Sequence, residues 1–374
     1  VGETPAGHRR SNRRISGQIS RQISRRGLLA AGGMALGAGV GALLTGTANA
    51  GTGATGTASA AGGPALPRSP RFALDAPGHV LWRDRPLFNN TVLQALAFDD
   101  TCDELYTVQL MQGGQQLPGE DAPVAGATRD LHGDLCLTRL DRTGTVLGHM
   151  FLTGFGHGVQ IGVEPSPHGA YLWTETKAIA DDGVHGWGSV LGRFPFADGA
   201  ILTPDSPSLR QYAPVPGADR TTAATDPVHG TLTMRHRVDG HFRYALYLLP
   251  QLRAGVVKPI AEVAQPDVLA TDFQGYATYG RYLYLIEGNA FGHPGSVSPT
   301  GNTVVTRVRW TDGVVEGRQL MTVANDMRFR EPEGMAIQLG PDGAPRLAFG
   351  FAETISATDS HKIATVCYLD RLVP

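Results

Sequence analysis

Two glutamates flank a proline in "REPEGMAIQL", residues 330–339, and a histidine stands between glycines at 156–158. Carboxylates and imidazoles are the groups that move protons when sugars are cleaved. A glycoside hydrolase needs two carboxyls across the scissile bond. A polysaccharide lyase needs a base and a neutraliser for a uronate carboxylate. Glu331 and Glu333 are too close in sequence to bracket a sugar by themselves, so a hydrolase would have to recruit Asp99, Glu164 or Glu287. In a lyase the base would be His157 or Tyr276. The neutraliser would be Gln94 with Gln274, or a calcium ion held by Glu333. No H-E-x-x-H, EF-hand loop, G-x-S-x-G or Walker motif is present.

These positions belong to a repeat. The stretches "LQALAFDD", "GHGVQIGVEP", "TTAATDP", "FQGYATYG" and "PEGMAIQLG" each place a polar residue before a small one and continue with alternating apolar positions. The pairs are Gln94-Ala95, His157-Gly158, Thr222-Ala223, Gln274-Gly275 and Glu333-Gly334, separated by 63, 65, 52 and 59 residues. A strand, a turn and a second strand start each copy. A second pattern follows, opening at Gly133, Gly188, Gly240, Gly301 and Ser360, and reads as a third strand, a tight turn and a fourth strand. Four strands recurring at this period mark a β-propeller blade. The fold expected is all-β, a five-bladed β-propeller over residues 71–374.

The fifth copy shows only three strands, and residues 71–88 precede the first copy with no place in it. They are expected to pair with residues 362–369 and close the ring, which protects an otherwise bare edge. The small residue of each pair sits where five innermost strands converge and only Gly or Ala lets backbones approach. Antiparallel order puts the short turns on one face and the long connections, 111–132, 176–186, 288–300 and 354–359, on the other with the polar pairs. Long loops on a rigid scaffold are where binding residues collect.

The expected site is therefore a ring of Gln94, His157, Thr222, Gln274 and Glu333 at the mouth of a central channel, with Glu331 and Tyr276 beside it. Amides, an imidazole and a carboxylate suit a hydroxyl-rich ligand, with stacking from Phe155, Trp187, Phe291 or Tyr276. The plainer alternative is that the ring only satisfies channel water. His229, His236 and His241 lack zinc spacing and read as surface or packing residues.

The first 50 residues read differently. Seven arginines precede a Gly/Ala-rich apolar run, "SRRGLL" resembles a twin-arginine export signal, and "ANA" at 48–50 is a small-residue cleavage site. Export and removal of residues 1–50 are expected, leaving no permanent membrane span, and 51–70 is expected to be a flexible linker. An anchor that is never cut is the alternative. The whole chain carries 32 basic and 34 acidic residues; without the seven Arg and one Glu of the first 50, 25 and 33 remain, a net charge of −8. Such a surface disfavours nucleic acid, and disfavours any polyanion unless a metal bridges the charges. Three cysteines, Cys102, Cys136 and Cys367, form no disulfide framework and are expected as buried thiols.

The stretches "QALAFDDTCDELYTVQ", "GDLCLTRLDRTGTVLGHMFLTGFGHGVQIGVEP", "YLWTET" and "EPEGMAI" are similar to a family comprising helveticin J-type bacteriocins, secreted actinobacterial proteins labelled teichoic acid biosynthesis protein C, and phage-associated proteins. The resemblance implies an extracellular, envelope-directed role, including antagonism toward other bacteria, and maps no catalytic residue. The expectation is a monomeric exported propeller that binds a polysaccharide or cell-envelope glycopolymer. A glycan-cleaving enzyme centred on His157 and Glu333 is the alternative.

Overall fold

Alternating short runs broken by Gly, Asp and Pro leave the chain few choices besides strands joined by turns. The computed structural model describes residues 65–167 and 169–374. The expected signal peptide and the linker up to residue 64 lie outside the described residues. Five antiparallel blades are present. From the axis outward, blade one is Leu93–Asp99, Glu104–Leu110, Leu135–Asp141 and Val146–Leu152. Blade two is Gly162–Glu164, Tyr171–Ile179, Trp187–Pro195 and Arg210–Tyr212. Blade three is Asp219–Asp226, Thr231–Val238, His241–Leu248 and Ala261–Ala264. Blade four is Phe273–Tyr279, Tyr282–Glu287, Val304–Arg309 and Val315–Leu320. Blade five is Glu331–Leu339, Pro345–Thr354, Lys362–Leu369 and, outermost, His79–Arg85.

The N-terminal strand closes the ring as its sequence position implied. His79 pairs with Tyr368, Val80 with Cys367 and Trp82 with Val366. Five hydrophobic clusters then fill the five gaps between neighbouring blades. Trp82, Leu96, Phe98 and Ala348 seal the joint between blades five and one, where the two ends of the ring meet. Each large apolar side chain buried there contributes roughly 1.5–3 kcal/mol.

Backbones meet at the axis on the small residues. A Cβ on Gly275 would stand 2.7 Å from the Gly334 Cα, and one on Gly334 would stand 2.6 Å from the Ala95 Cα. The pairing register also slips beside the polar-small pair in four blades, at Leu93/Ala95, Asp219/Thr222, Phe273/Gly275 and Glu333/Met335. A bulge re-aims the side chains that follow it, which matters for Tyr276 below.

Four expectations need correction. Ile201–Leu202, read as the fourth strand of blade two, instead runs parallel to Phe151 and Leu152 on the outside of blade one. Asp198 accepts from the His149 N–H at 2.8 Å and steers it there, so Arg210–Tyr212 completes blade two. The third-to-fourth connection of blade three is no tight turn, for it carries the short helix Leu249–Arg253. The end of the expected linker is tied down. Leu66 packs on the joint between blades three and four, and the Ser69 hydroxyl donates to the Tyr279 carbonyl at 3.1 Å. Of the three thiols, all free, Cys136 and Cys367 are buried and Cys102 is exposed.

Candidate functional site: the loop-rich face

The long connections gather at one end of the propeller, as the turn lengths required. Blade one contributes residues 111–134 with the helix Gly126–His132, and blade two the loop after Ile179. Blade four contributes the connection between Glu287 and Val304, and blade five the one between Thr354 and Lys362. Blade three contributes only the Asp239-Gly240 turn, so the face is low on that side.

The channel itself is shut. Gln160, fully buried, lies across the axis: its amide donates to the carbonyls of Met335 (2.7 Å) and Ile161 (3.0 Å). Its oxygen accepts from the N–H groups of Tyr276 (3.2 Å) and Met335 (3.3 Å). One side chain thus ties the innermost segments of blades two, four and five. The remaining axial void is about 10 Å³, lined by Gln160 with Ala97, Ala224, Met335 and Ile337 among others. The mouth is a floor, not an opening.

The ring residues divide into groups on and below that floor. Glu331 and Glu333 flank Pro332 ahead of the bulge and stay on one side of the strand. Burial and then the Glu331 charge push the Glu333 carboxyl well above the ordinary range. Burial also raises Glu331, partly offset by Lys362 and His293. Gln274 donates to the Gly288 carbonyl at 2.9 Å, and Gln94 is half-buried in the bulge of blade one. Thr222 is buried and bonds the Tyr276 hydroxyl at 3.2 Å.

Tyr276 is not the base that its sequence position suggested. It is completely buried; its hydroxyl donates to the Thr233 carbonyl and accepts from the Arg235 N–H. Burial drives the phenol far above its usual range. In an unbroken strand it would share a face with Gln274; the bulge turns it into the joint between blades three and four. Phe155, expected to stack on ligand, is also fully buried, against Phe194. The second acids offered for hydrolysis are committed elsewhere. Asp99 and Glu164 end their inner strands on the opposite, short-turn face, holding Thr101 and Arg193 respectively. Glu287 is fully buried, accepts from the N–H groups of Ala270 and Thr271, and pairs with Arg318.

His157 and Trp187 do come together. Their rings stack at 4.5 Å between centroids and 26° between planes. The indole N–H donates to Asp182 at 3.0 Å, and the Arg220 guanidinium lies 4.3 Å from the indole centroid, paired with Asp181 at 2.8 Å. Beneath them is a residue outside the polar-small pairs, at a position that Gln109, Glu287 and Glu353 fill in other blades. Glu175, fully buried, accepts from the N–H groups of His157 (3.0 Å), Gly158 (2.6 Å) and Gly188 (2.6 Å). Burial pushes its carboxyl up to about 7 while the three amide donors pull the other way. The three donors occupy both oxygens. A Cβ on Gly156 would stand 2.1 Å from the Glu175 Cδ, so a side chain there would displace the Glu175 carboxyl. Asp130 and His185, from two different loops, complete the cluster; His185 Nδ1 is 2.8 Å from Asp130. No spacing rule links side chains drawn from three segments, although Asp130 and His185 fall in the long connections 111–132 and 176–186 and Glu175 in "YLWTET". A separate cavity of about 990 Å³ lies under the blade-one loop, lined by Leu117, Arg129, Asp134, Gly154 and Thr203 among others.

A family model described as the phage 5-bladed beta propeller receptor binding platform domain matches residues 92–363. The chain belongs to that family. A Bacillus subtilis (strain 168) protein named "Putative major teichoic acid biosynthesis protein C" is 26% identical to this chain over 295 residues, 76% of the chain and 61% of the relative. The chain therefore spans about three fifths of that relative's length. Among solved structures, the tail fiber of Staphylococcus aureus phage P68 superposes with a TM-score of 0.57 at 18% identity, over 81% of this chain and 53% of that one. This last likeness speaks for the fold. A glycoside hydrolase family 43 arabinoxylan arabinofuranohydrolase from Bacillus subtilis aligns over 77% of the chain and 66% of its own, at 9% identity and a TM-score of only 0.39, which carries no argument. Among the described residues no helix is long and apolar enough to cross a membrane.

Proposed function

We propose that this propeller is a binding module that holds a glycan or anionic cell-envelope glycopolymer on its loop-rich face. The observation that carries the reading is the stack of His157, Trp187 and Arg220, part-exposed on that face and braced from below by Glu175. An aromatic platform flanked by a cation and hydrogen-bonding groups fits a sugar ring bearing acidic substituents. Membership of a family described by receptor binding supports the class, and the name of the Bacillus subtilis relative points to a wall polymer as the ligand. The polymer lies outside the cell, in keeping with the export signal expected within residues 1–50. A bacteriocin-like role extends the same reading: a propeller that grips a foreign envelope can direct an attack on it.

The competing reading is a lyase or hydrolase using His157 and Glu333. Glu331 and Glu333 favour it, since burial raises both carboxyls and a raised carboxyl is what a general acid requires. Against it, the second carboxylates it needs are bound into the scaffold, and Tyr276 is out of reach. Incubation with a panel of wall and plant polysaccharides separates the two. The binding reading expects retention of one polymer class with no new reducing ends and no absorbance from unsaturated uronate. Product formation that Glu333→Gln abolishes would replace it with the enzyme.

A further inference from the structure

We infer that Asp130, His157 and His185 form a binding site for one divalent transition-metal ion, with zinc the best match. The three residues reach one point from three segments: the blade-one helix, the lead-in to blade two and the loop after Ile179. One ligand atom from each lies within 4.8 Å of the others. His157 Nδ1 is 3.5 Å from one Asp130 oxygen, and His185 Nδ1 is 2.8 Å from the other. Ligand atoms at zinc's bond lengths of about 2.0–2.2 Å lie about 3.3–3.5 Å apart on a tetrahedron, so small side-chain rotations suffice.

A second, independent observation points to a missing partner. The Nδ1 atom of His157 and the Oδ1 atom of Asp130 face each other, both shielded from solvent, and neither has a hydrogen-bond partner. Unpaired polar atoms in such surroundings are unfavourable, and a cation between them satisfies both.

The supports are in place. Glu175 fixes the His157 backbone, and Asp182 accepts from the His185 N–H at 2.7 Å. The Gly186 N–H donates to the Asp130 carbonyl at 2.7 Å, so the two long loops already touch. Two imidazoles and one carboxylate suit zinc, cobalt or nickel rather than calcium, which takes oxygen ligands. Three protein ligands leave a coordination position for water or an anionic oxygen. The ion would staple the blade-one and blade-two loops, and would place positive charge on a face of an acidic protein.

The test uses the metal alone, so its outcome is independent of polymer binding. The full chain is stripped with a chelator, dialysed and titrated with zinc chloride, and in parallel with cobalt chloride. One equivalent of zinc is expected per chain, together with visible cobalt bands of four- or five-coordinate geometry. His157→Ala, His185→Ala and His185→Gln should each weaken uptake about tenfold or more, with the fold checked by circular dichroism. His361→Ala, at a distant exposed histidine, should leave it unchanged. The inference is overturned if the stripped chain takes up no stoichiometric zinc, or if folded His157 and His185 variants bind it as the native chain does.

Discussion

Replacing Gly334 with valine is expected to leave no stably folded propeller. The residue has φ +66°, a conformation that costs a β-branched side chain dearly, and its Cβ would stand 2.6 Å from the Ala95 Cα. The obstructing atom is backbone at the most crowded point of the ring, so relief requires the inner strands of blades five and one to separate. Backbone strain and overpacking together cost about 3–6 kcal/mol, a large part of what holds a domain folded. Gly334→Ala should show a smaller version of the same loss in urea or thermal melts. A Gly334→Ala protein with unchanged midpoint and slope would mean that the strands do not meet at the axis as described.

The second large effect is at Glu175. Glu175→Ala removes the acceptor of three buried N–H groups and opens a cavity under His157. Each orphaned buried donor costs about 1–3 kcal/mol, so a loss of about 3–5 kcal/mol is expected in chemical denaturation. Glu175→Gln restores the volume but sets an NH₂ group against at least one of the donors. It should recover only part of the loss. If Glu175→Gln matched the native chain, the carboxylate would not be the support of the His157 segment.

Gly334 and Gln160 mark what the sequence could and could not disclose. Gly334 belongs to a repeat, and a repeat is legible because each copy must solve the same packing problem at the axis. The same logic reached the blade count, the closing of the ring by the stretch 71–88, of which His79–Arg85 forms the strand, and the division of loops between faces, since turn length and strand order are local properties. Glu175 recurs, for Gln109, Glu287 and Glu353 stand near the ends of the second strands of their blades and likewise accept N–H groups from the lead-in to the first strand, but Gln160 and Asp130 have no counterpart in the other copies. Their roles arise from segments that meet only in three dimensions, and a linear pattern holds no trace of that. Tyr276 was misplaced because one bulged residue inverts the alternation of a strand, and alternation alone does not reveal the slip that four blades share beside the polar-small pair. Ile201–Leu202 was assigned to the wrong blade because the short strand is equally suited to either edge; Asp198 and the His149 backbone decide the matter.

On the proposed reading an acidic propeller meets an acidic polymer, and the face allows for it. Most of its exposed arginines are paired with aspartates or glutamates, as Arg237 is with Asp181 and Asp219. Arg220 is paired too, but it additionally covers an aromatic ring that a sugar can approach. Specific contact then depends on a few side chains rather than on bulk charge. A central aromatic anchor is expected to dominate the binding energy.

Co-sedimentation with purified Gram-positive walls, intact or stripped of their anionic glycopolymers, puts that expectation to the test. The native protein should pellet with intact walls and stay in solution with stripped ones. Trp187→Ala, folded by circular dichroism, should weaken retention about tenfold or more. Equal retention of native and Trp187→Ala proteins, or retention indifferent to the glycopolymer, would contradict the placement of the binding site on this face.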